Sequence, residues 1–155
     1  MTRVSTNYHG KHIYIGIDVH RKSYTLTCRC DGLVIKRCHM AADPTAVVEF
    51  CRKQFPGASL TSAYEAGFSG FGLHRTLCAH DIHNIVVHPA SIEVAARDRV
   101  KTDKRDSAKI AEQLAAGRLR GIHIPTEEEE QKRLLTRSRE QLLRHRIRLQ
   151  NQLRM

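Results

Sequence analysis

The period of the hydrophobic pattern changes part-way along the chain, and the change marks out its elements. Over residues 12–18 (HIYIGID), Ile13, Ile15 and Ile17 fall on alternate positions, the pattern of a strand with one buried face. Residues 23–30 (SYTLTCRC) are rich in β-branched and aromatic types and predict a second strand. Asp31-Gly32 is a tight-turn signal, and Leu33 to Met40 continues as a third strand, giving an antiparallel meander. The pattern then becomes helical. Asp43-Pro44 predicts a cap with Pro in the first turn, Val47, Val48, Phe50, Cys51 and Phe55 an apolar stripe, and Pro56-Gly57 a stop. Residues 59–64 (SLTSAY) form a short strand delivering Glu65. A glycine-rich turn, Gly67 to Gly72, follows, with Ser69 near the cap of a helix that runs to about His80. Asn84 to His88 is a fifth strand, and residues 91–101 a short helix and basic loop. From Asp103 a helix carries Ile110, Ala111, Leu114 and Ala115 and closes at Gly117.

The order β-β-β-α-β-α-β-α, a meander followed by alternating strands and helices, predicts an α/β fold: a mixed five-stranded sheet with helices on both faces. Residues 1–11 read as a flexible N-terminus, 12–117 as one domain and 118–126 as a linker broken at Pro125. Residues 127–155 read as a basic helix, capped by Thr126 and opened by Glu127 to Glu130. On that helix Leu135, Leu142 and Leu149 recur every seven residues, with Leu143, Ile147 and Leu153 nearby, a coiled-coil-like seam. The helical pattern still runs at Met155, so the chain is expected to be cut from a longer protein.

Composition narrows the class. No run approaches the 18 apolar residues of a membrane span, and the first eleven residues lack the apolar core of a secretory signal. Five cysteines without an export signal suit reduced thiols in a cytoplasm. The net charge of +10 is uneven: residues 131–155 hold eight Lys/Arg (Lys132, Arg133, Arg137, Arg139, Arg144, Arg146, Arg148, Arg154) against Glu140. That balance favours an anionic partner, nucleic acid first.

The acids carry the chemistry. Asp103 and Asp106 are three apart at the head of a helix and so share one face, ringed by Arg99, Lys101, Lys104 and Arg105. Asp18 ends the first strand and Glu65 the fourth. A lone Asp after a strand is ordinarily a turn cap, and Asp103 alone an N-cap. In this element order, however, the four can meet at one edge of the sheet, as in ribonuclease-H-like domains. Hard oxygen ligands of this kind suit Mg2+ or Mn2+, and two such ions can hold the attacking and leaving oxygens of a phosphodiester. His20, two residues past Asp18, reads as a cleft-lining or phosphate-contacting residue, with a metal ligand or acid/base as the alternative; Arg21 and Lys22 read as backbone contacts or solvated turn charges. The cysteine and histidine spacings around Cys78 match no zinc pattern, and the glycine turn is no dinucleotide fingerprint. An actin-like ATPase also opens on Gly-Ile-Asp, but Val19-His-Arg-Lys22 is poor for cradling phosphate.

Gly16-Ile-Asp-Val-His20, Tyr64-Glu-Ala-Gly-Phe-Ser-Gly70 and Lys101-Thr-Asp-Lys-Arg-Asp-Ser107 resemble the three motifs of the DEDD transposases of bacterial insertion sequences, relatives of the Piv and MooV invertases. The resemblance covers about residues 12–125. It implies a RuvC-like catalytic domain whose metal site is Asp18, Glu65, Asp103 and Asp106, acting on DNA in a bacterial cytoplasm. It also implies a structured guide RNA, a homo-oligomer (dimer or tetramer), and a further domain with a nucleophilic serine beyond Met155. The alternatives are a RuvC-like nuclease using activated water, or a non-catalytic nucleic-acid-binding and dimerisation module.

Overall fold

A computed structural model of the protein describes residues 7–92 and 103–153. Five strands, β1 (His12–Val19), β2 (Ser23–Cys30), β3 (Leu33–Ala41), β4 (Ser59–Glu65) and β5 (His83–Val87), form one mixed sheet in the order β3-β2-β1-β4-β5. The meander pairs antiparallel, while β4 joins β1, and β5 joins β4, in parallel. The Asp31-Gly32 turn has positive φ at both residues (48° and 79°), the form whose twist matches a hairpin.

β1 is central, and its two faces are covered by different helices. Ile13, Ile15 and Ile17 are fully buried on one face. Cys28 pairs with Ile15 in register and lies close enough to Cys51 of helix α1 (Pro44–Gln54) to feel its charge, so α1 covers that face. Burial pushes the Cys28 and Cys51 thiols far up, and both pack as small apolar groups. The even positions, Tyr14, Gly16 and Asp18, face helix α3 (Asp103–Ala115). There Ala63, Val87, Ile110, Leu114 and Leu119 form a core cluster. Helix α2 (Gly72–Ala79) precedes β5, and α4 (Glu127–Leu153) is the long C-terminal helix.

Several boundaries differ from the sequence reading. Of the N-terminus expected to be flexible, residues 7–11 are tied down: Tyr8 meets Phe55 edge-on at 5.2 Å, and Gly10 N–H bonds the Gly57 carbonyl at 3.1 Å. The fifth strand starts at His83, and Pro89–Ser91 is a 3-10 turn. The rest of the expected 91–101 helix and loop lies mainly in residues 93–102, outside the described residues. Phe71, not Ser69, occupies the N-cap of α2, and its side chain makes no capping bond. The first half of the expected linker belongs to the sheet, because Gly121 bridges to Val87 and Ile122 N–H bonds the Val86 carbonyl at 2.8 Å. The chain divides into compact units at Ile122/His123. In the second unit, Thr126 and Glu129 form a reciprocal capping box (3.2 and 2.8 Å) that starts α4.

Candidate metal and nucleic-acid site

Gly16 sets the site. A Cβ there would lie 2.0 Å from the Ser107 carbonyl oxygen and 2.4 Å from the Ala111 nitrogen, so α3 rests its backbone directly on β1. A buried hydrogen bond of 2.8 Å between Thr27, paired with Gly16 on β2, and Ser107 pins the helix at the same level. Ser107 is fully buried. This close approach brings the head of α3 to the end of β1, where Asp18 stands.

The result is one three-residue group among the described residues: Asp18, His20 and Asp103 place possible ligand atoms within 4.8 Å of one another. His20 Nε2 lies 3.0 Å from Asp18 Oδ2 and 3.2 Å from Asp103 Oδ1. The sequence favoured the cleft wall or phosphate for His20 over a ligand or acid/base role; the structure puts it between two carboxylates. Asp106, one turn along α3, is near enough to raise Asp18's pKa through its charge. Glu65 is exposed and outside the three-residue group. The parallel register, which pairs Ile17 with Tyr64, brings it next to Asp18 at its following step and on the same face.

The electrostatics are those of crowded acids. Asp18's pKa is raised, chiefly by burial and further by Asp103 and Asp106, against the lowering effect of His20. His20's is raised above 6.5, first by Asp18, against the lowering effect of desolvation and with further help from Asp103. Asp18 Oδ2 is a buried oxygen that receives no aligned hydrogen bond, although His20 lies at ion-pair distance. A carboxylate oxygen so placed suits a cation, and the carboxylates of Asp18 and Asp103 in the group offer hard oxygen ligands.

The basic residues fall in several places. Arg21 and Lys22 are exposed in the β1–β2 turn, and Lys104 and Arg105 are exposed in the first turn of α3. Arg99 and Lys101 lie outside the described residues. On α4, Lys132 pairs with Glu128 at 2.6 Å and Arg144 with Glu140 at 2.5 Å, exposed pairs of small energetic weight. Arg133, Arg137, Arg144 and Arg148, spaced 4, 7 and 4 apart, share one face of α4. The Leu135/Leu142/Leu149 stripe is offset from it by two residues, about 200° around the helix.

Comparison with known proteins gives the family and the fold. A family model described as a transposase, of the DEDD IS110 type, matches residues 15–155. The transposase for insertion sequence element IS1533 of Leptospira borgpetersenii is 30% identical over 135 residues, 84% of this chain and 39% of that protein. Putative transposase y4rJ of Sinorhizobium fredii (strain NBRC 101917 / NGR234) is 31% identical over 160 residues, 91% of this chain and 40% of that one. The chain thus spans about two-fifths of the length of these curated relatives. Thermus thermophilus RuvC superposes with a TM-score of 0.51 at 11% identity, covering 71% of this chain and 99% of that one, so the fold is RuvC-like.

Proposed function

Because the chain belongs to the DEDD transposase family, we propose that it is the catalytic domain that cuts DNA phosphodiesters during insertion-sequence transposition. Asp18, Asp103, Asp106 and Glu65 would hold Mg2+ or Mn2+, as two ions. When bound, such cations supply positive charge to the attacking and leaving oxygens of the phosphodiester. The chain's own residues do the rest. Gly16 and the Thr27–Ser107 bond fix the acids in place. Arg21, Lys22, Lys104 and Arg105 draw in the phosphate backbone; Arg99 and Lys101, outside the described residues, are assigned the same role. Lys132, Arg133, Arg137, Arg144 and Arg148 of α4 bind nucleic-acid backbone, in DNA or in a structured guide RNA, and the leucine stripe joins copies of the protein into an oligomer. Ser107 is buried and hydrogen-bonded, so it is structural and no nucleophile. Rejoining strands is assigned to the serine domain of the family, and cutting to water activated among the acids.

The observation that supports this most is the buried, undonated Asp18 Oδ2 facing Asp103 and His20. It gives a test with two opposite signs. Without metal, Asp18→Asn raises the thermal midpoint, since folding disfavours the ionised Asp18. With millimolar Mn2+ the order reverses, because only the wild type gains ligand stabilisation, about 2.7 kcal/mol at one hundred times Kd. A variant stabilised by Mn2+ as much as the wild type would refute the site and favour the non-catalytic binding module.

A further inference from the structure

At the end of the sheet away from Asp18, a groove of about 440 Å3 opens between the strands and the last turn of α3. Pockets that hold small ligands run from about 300 to 1,000 Å3, so the space is of that class. Register puts it there. His12 and Tyr14 stand on the α3 face of β1, and Arg29 of β2 pairs with Tyr14. His12 is six residues before Asp18, roughly 20 Å along the strand, so the groove is separate from the acids. It stays open because α3 ends on small residues: Ala115 and Ala116 line it, Gly117 follows, and no long side chain of that turn fills the space above the strands.

Its walls carry specific chemistry. The His12 and Tyr14 rings stack, with centroids 4.5 Å apart and 29° between their planes. His12 Nε2 and Thr61 Oγ1 are hydrogen-bonded at 2.8 Å, which fixes the exposed ring of the pair. Arg29 Nη2 donates to the Gly32 carbonyl at 2.6 Å, while Arg29 Nε is buried with no acceptor. A buried N–H of a charged group left unpaired is costly, and an acceptor brought to it recovers that cost. At the rim, Lys11 takes up Asp31 at 2.9 Å. Three cations, Lys11, Arg29 and Arg118, thus stand against two acids, Asp31 and Glu112.

We propose that this groove binds a purine nucleotide, the base continuing the His12–Tyr14 stack, its N7 accepting from Arg29 as the guanidinium turns into the groove, and its phosphate on the cationic rim. N7 is the acceptor that adenine and guanine share and pyrimidines lack. A plain anion would leave the stacked rings unused, and a plain aromatic ligand would leave Arg29 Nε unpaired; a purine nucleotide answers both. The nucleotide is free or is an unpaired unit of a strand, with the same chemistry in either case. The site goes beyond the functional reading above and does not depend on it.

The test is calorimetric titration of the 155-residue chain with GMP, in EDTA so that no metal bridges phosphate to the acids. GMP is expected to bind with Kd below about 1 mM. Its 7-deaza analogue, which lacks N7, should bind about ten-fold more weakly, and Arg29→Gln should weaken GMP by a similar factor. The two losses should not add, because they remove one hydrogen bond. Ala116→Phe, which fills the groove, should abolish binding, and the 7-deaza arm uses the unaltered protein should that variant fail to fold. A single-stranded trinucleotide with one central guanine separates the sources: binding tighter than GMP assigns the site to a strand, and binding weaker than GMP to a free nucleotide. CMP binding as tightly as GMP, ribose 5-phosphate displacing GMP at equal concentration, or additive losses in an Arg29→Gln protein that melts like wild type would each overturn the proposal. So would the absence of binding by both GMP and the trinucleotide. Any of these with the Mn2+ reversal at Asp18 intact leaves the functional reading standing, and loss of that reversal leaves the groove untouched.

Discussion

Single residues decide the geometry of the acids, and they differ in how legible they are. Asp18 and Asp103 stand out in the sequence because each ends or opens an element. Gly16 does not, since a glycine in a strand has many explanations, and only the 2.0 Å at which a Cβ there would meet the Ser107 carbonyl oxygen identifies it as the seat of α3. Gly16→Ala therefore forces backbone apart. Overpacking ordinarily costs about 1–3 kcal/mol, and a clash with main chain belongs at or above the upper end. A fall in the thermal midpoint of roughly 10 °C or more is expected, with a still larger loss of Mn2+ affinity. A variant that melts and binds like wild type would show that α3 does not rest on β1. His20 is legible as chemistry, but its place between two carboxylates is not, because a turn of unknown course follows Asp18. Its folded pKa lies above the unfolded 6.5, so its stabilising effect is full below pH 6.5 and is lost as pH rises through the folded value. In EDTA, wild type should lose stability over that rise while His20→Gln stays flat. Parallel curves would remove His20 from the cluster.

At the scale of elements the hydrophobic period was informative, because the change from two to 3.6 coincided with the stop-and-cap signal Asp43-Pro44, and the hairpin within the period-two stretch with Asp31-Gly32. Register was not legible: the pairing of Ile17 with Tyr64, which carries Glu65 toward Asp18, depends on β4 inserting beside β1 and leaves no local trace. The stretch after Gly117 misled for a related reason. Arg118 to Thr126 is polar and ends near a proline, yet Leu119 reaches the core and Ile122 bonds the edge strand β5. The anchoring of α3 to β2 was equally hidden, because Thr27 and Ser107 are 80 residues apart in the chain. Ser107→Ala should cost about 1–3 kcal/mol, since it leaves the Thr27 hydroxyl buried without its partner. Adding Thr27→Val should recover most of that, as no polar group is then stranded. Additive losses in urea melts of the two single variants and the double variant would show that the two hydroxyls do not act as a pair.

At the scale of the whole molecule the two units differ in what they bury and expose. The sheet unit buries its apolar residues and exposes acids at one end. In α4 no described residue is buried, and Leu135, Leu142 and Leu149 are 60–72% exposed along one stripe. Water tolerates scattered leucines, but a stripe with seven-residue spacing opposite an arginine face is the pattern expected under the proposal that α4 pairs through one side and binds anions through the other. The two faces can then be separated experimentally. Replacing Leu135, Leu142 and Leu149 by Glu should shift the sedimentation mass toward a single chain. Replacing Arg133, Arg137 and Arg148 by Gln should leave the mass unchanged and weaken nucleic-acid binding. On duplex DNA the slope of log K against log salt is about −0.9 for each phosphate neutralised, so the triple arginine variant should be shallower by up to about 2.7. Structured RNA should show the same loss, because these side chains meet backbone rather than bases. If the arginine variant alters the mass while the slope stays at the wild-type value, the two faces have been assigned the wrong way round.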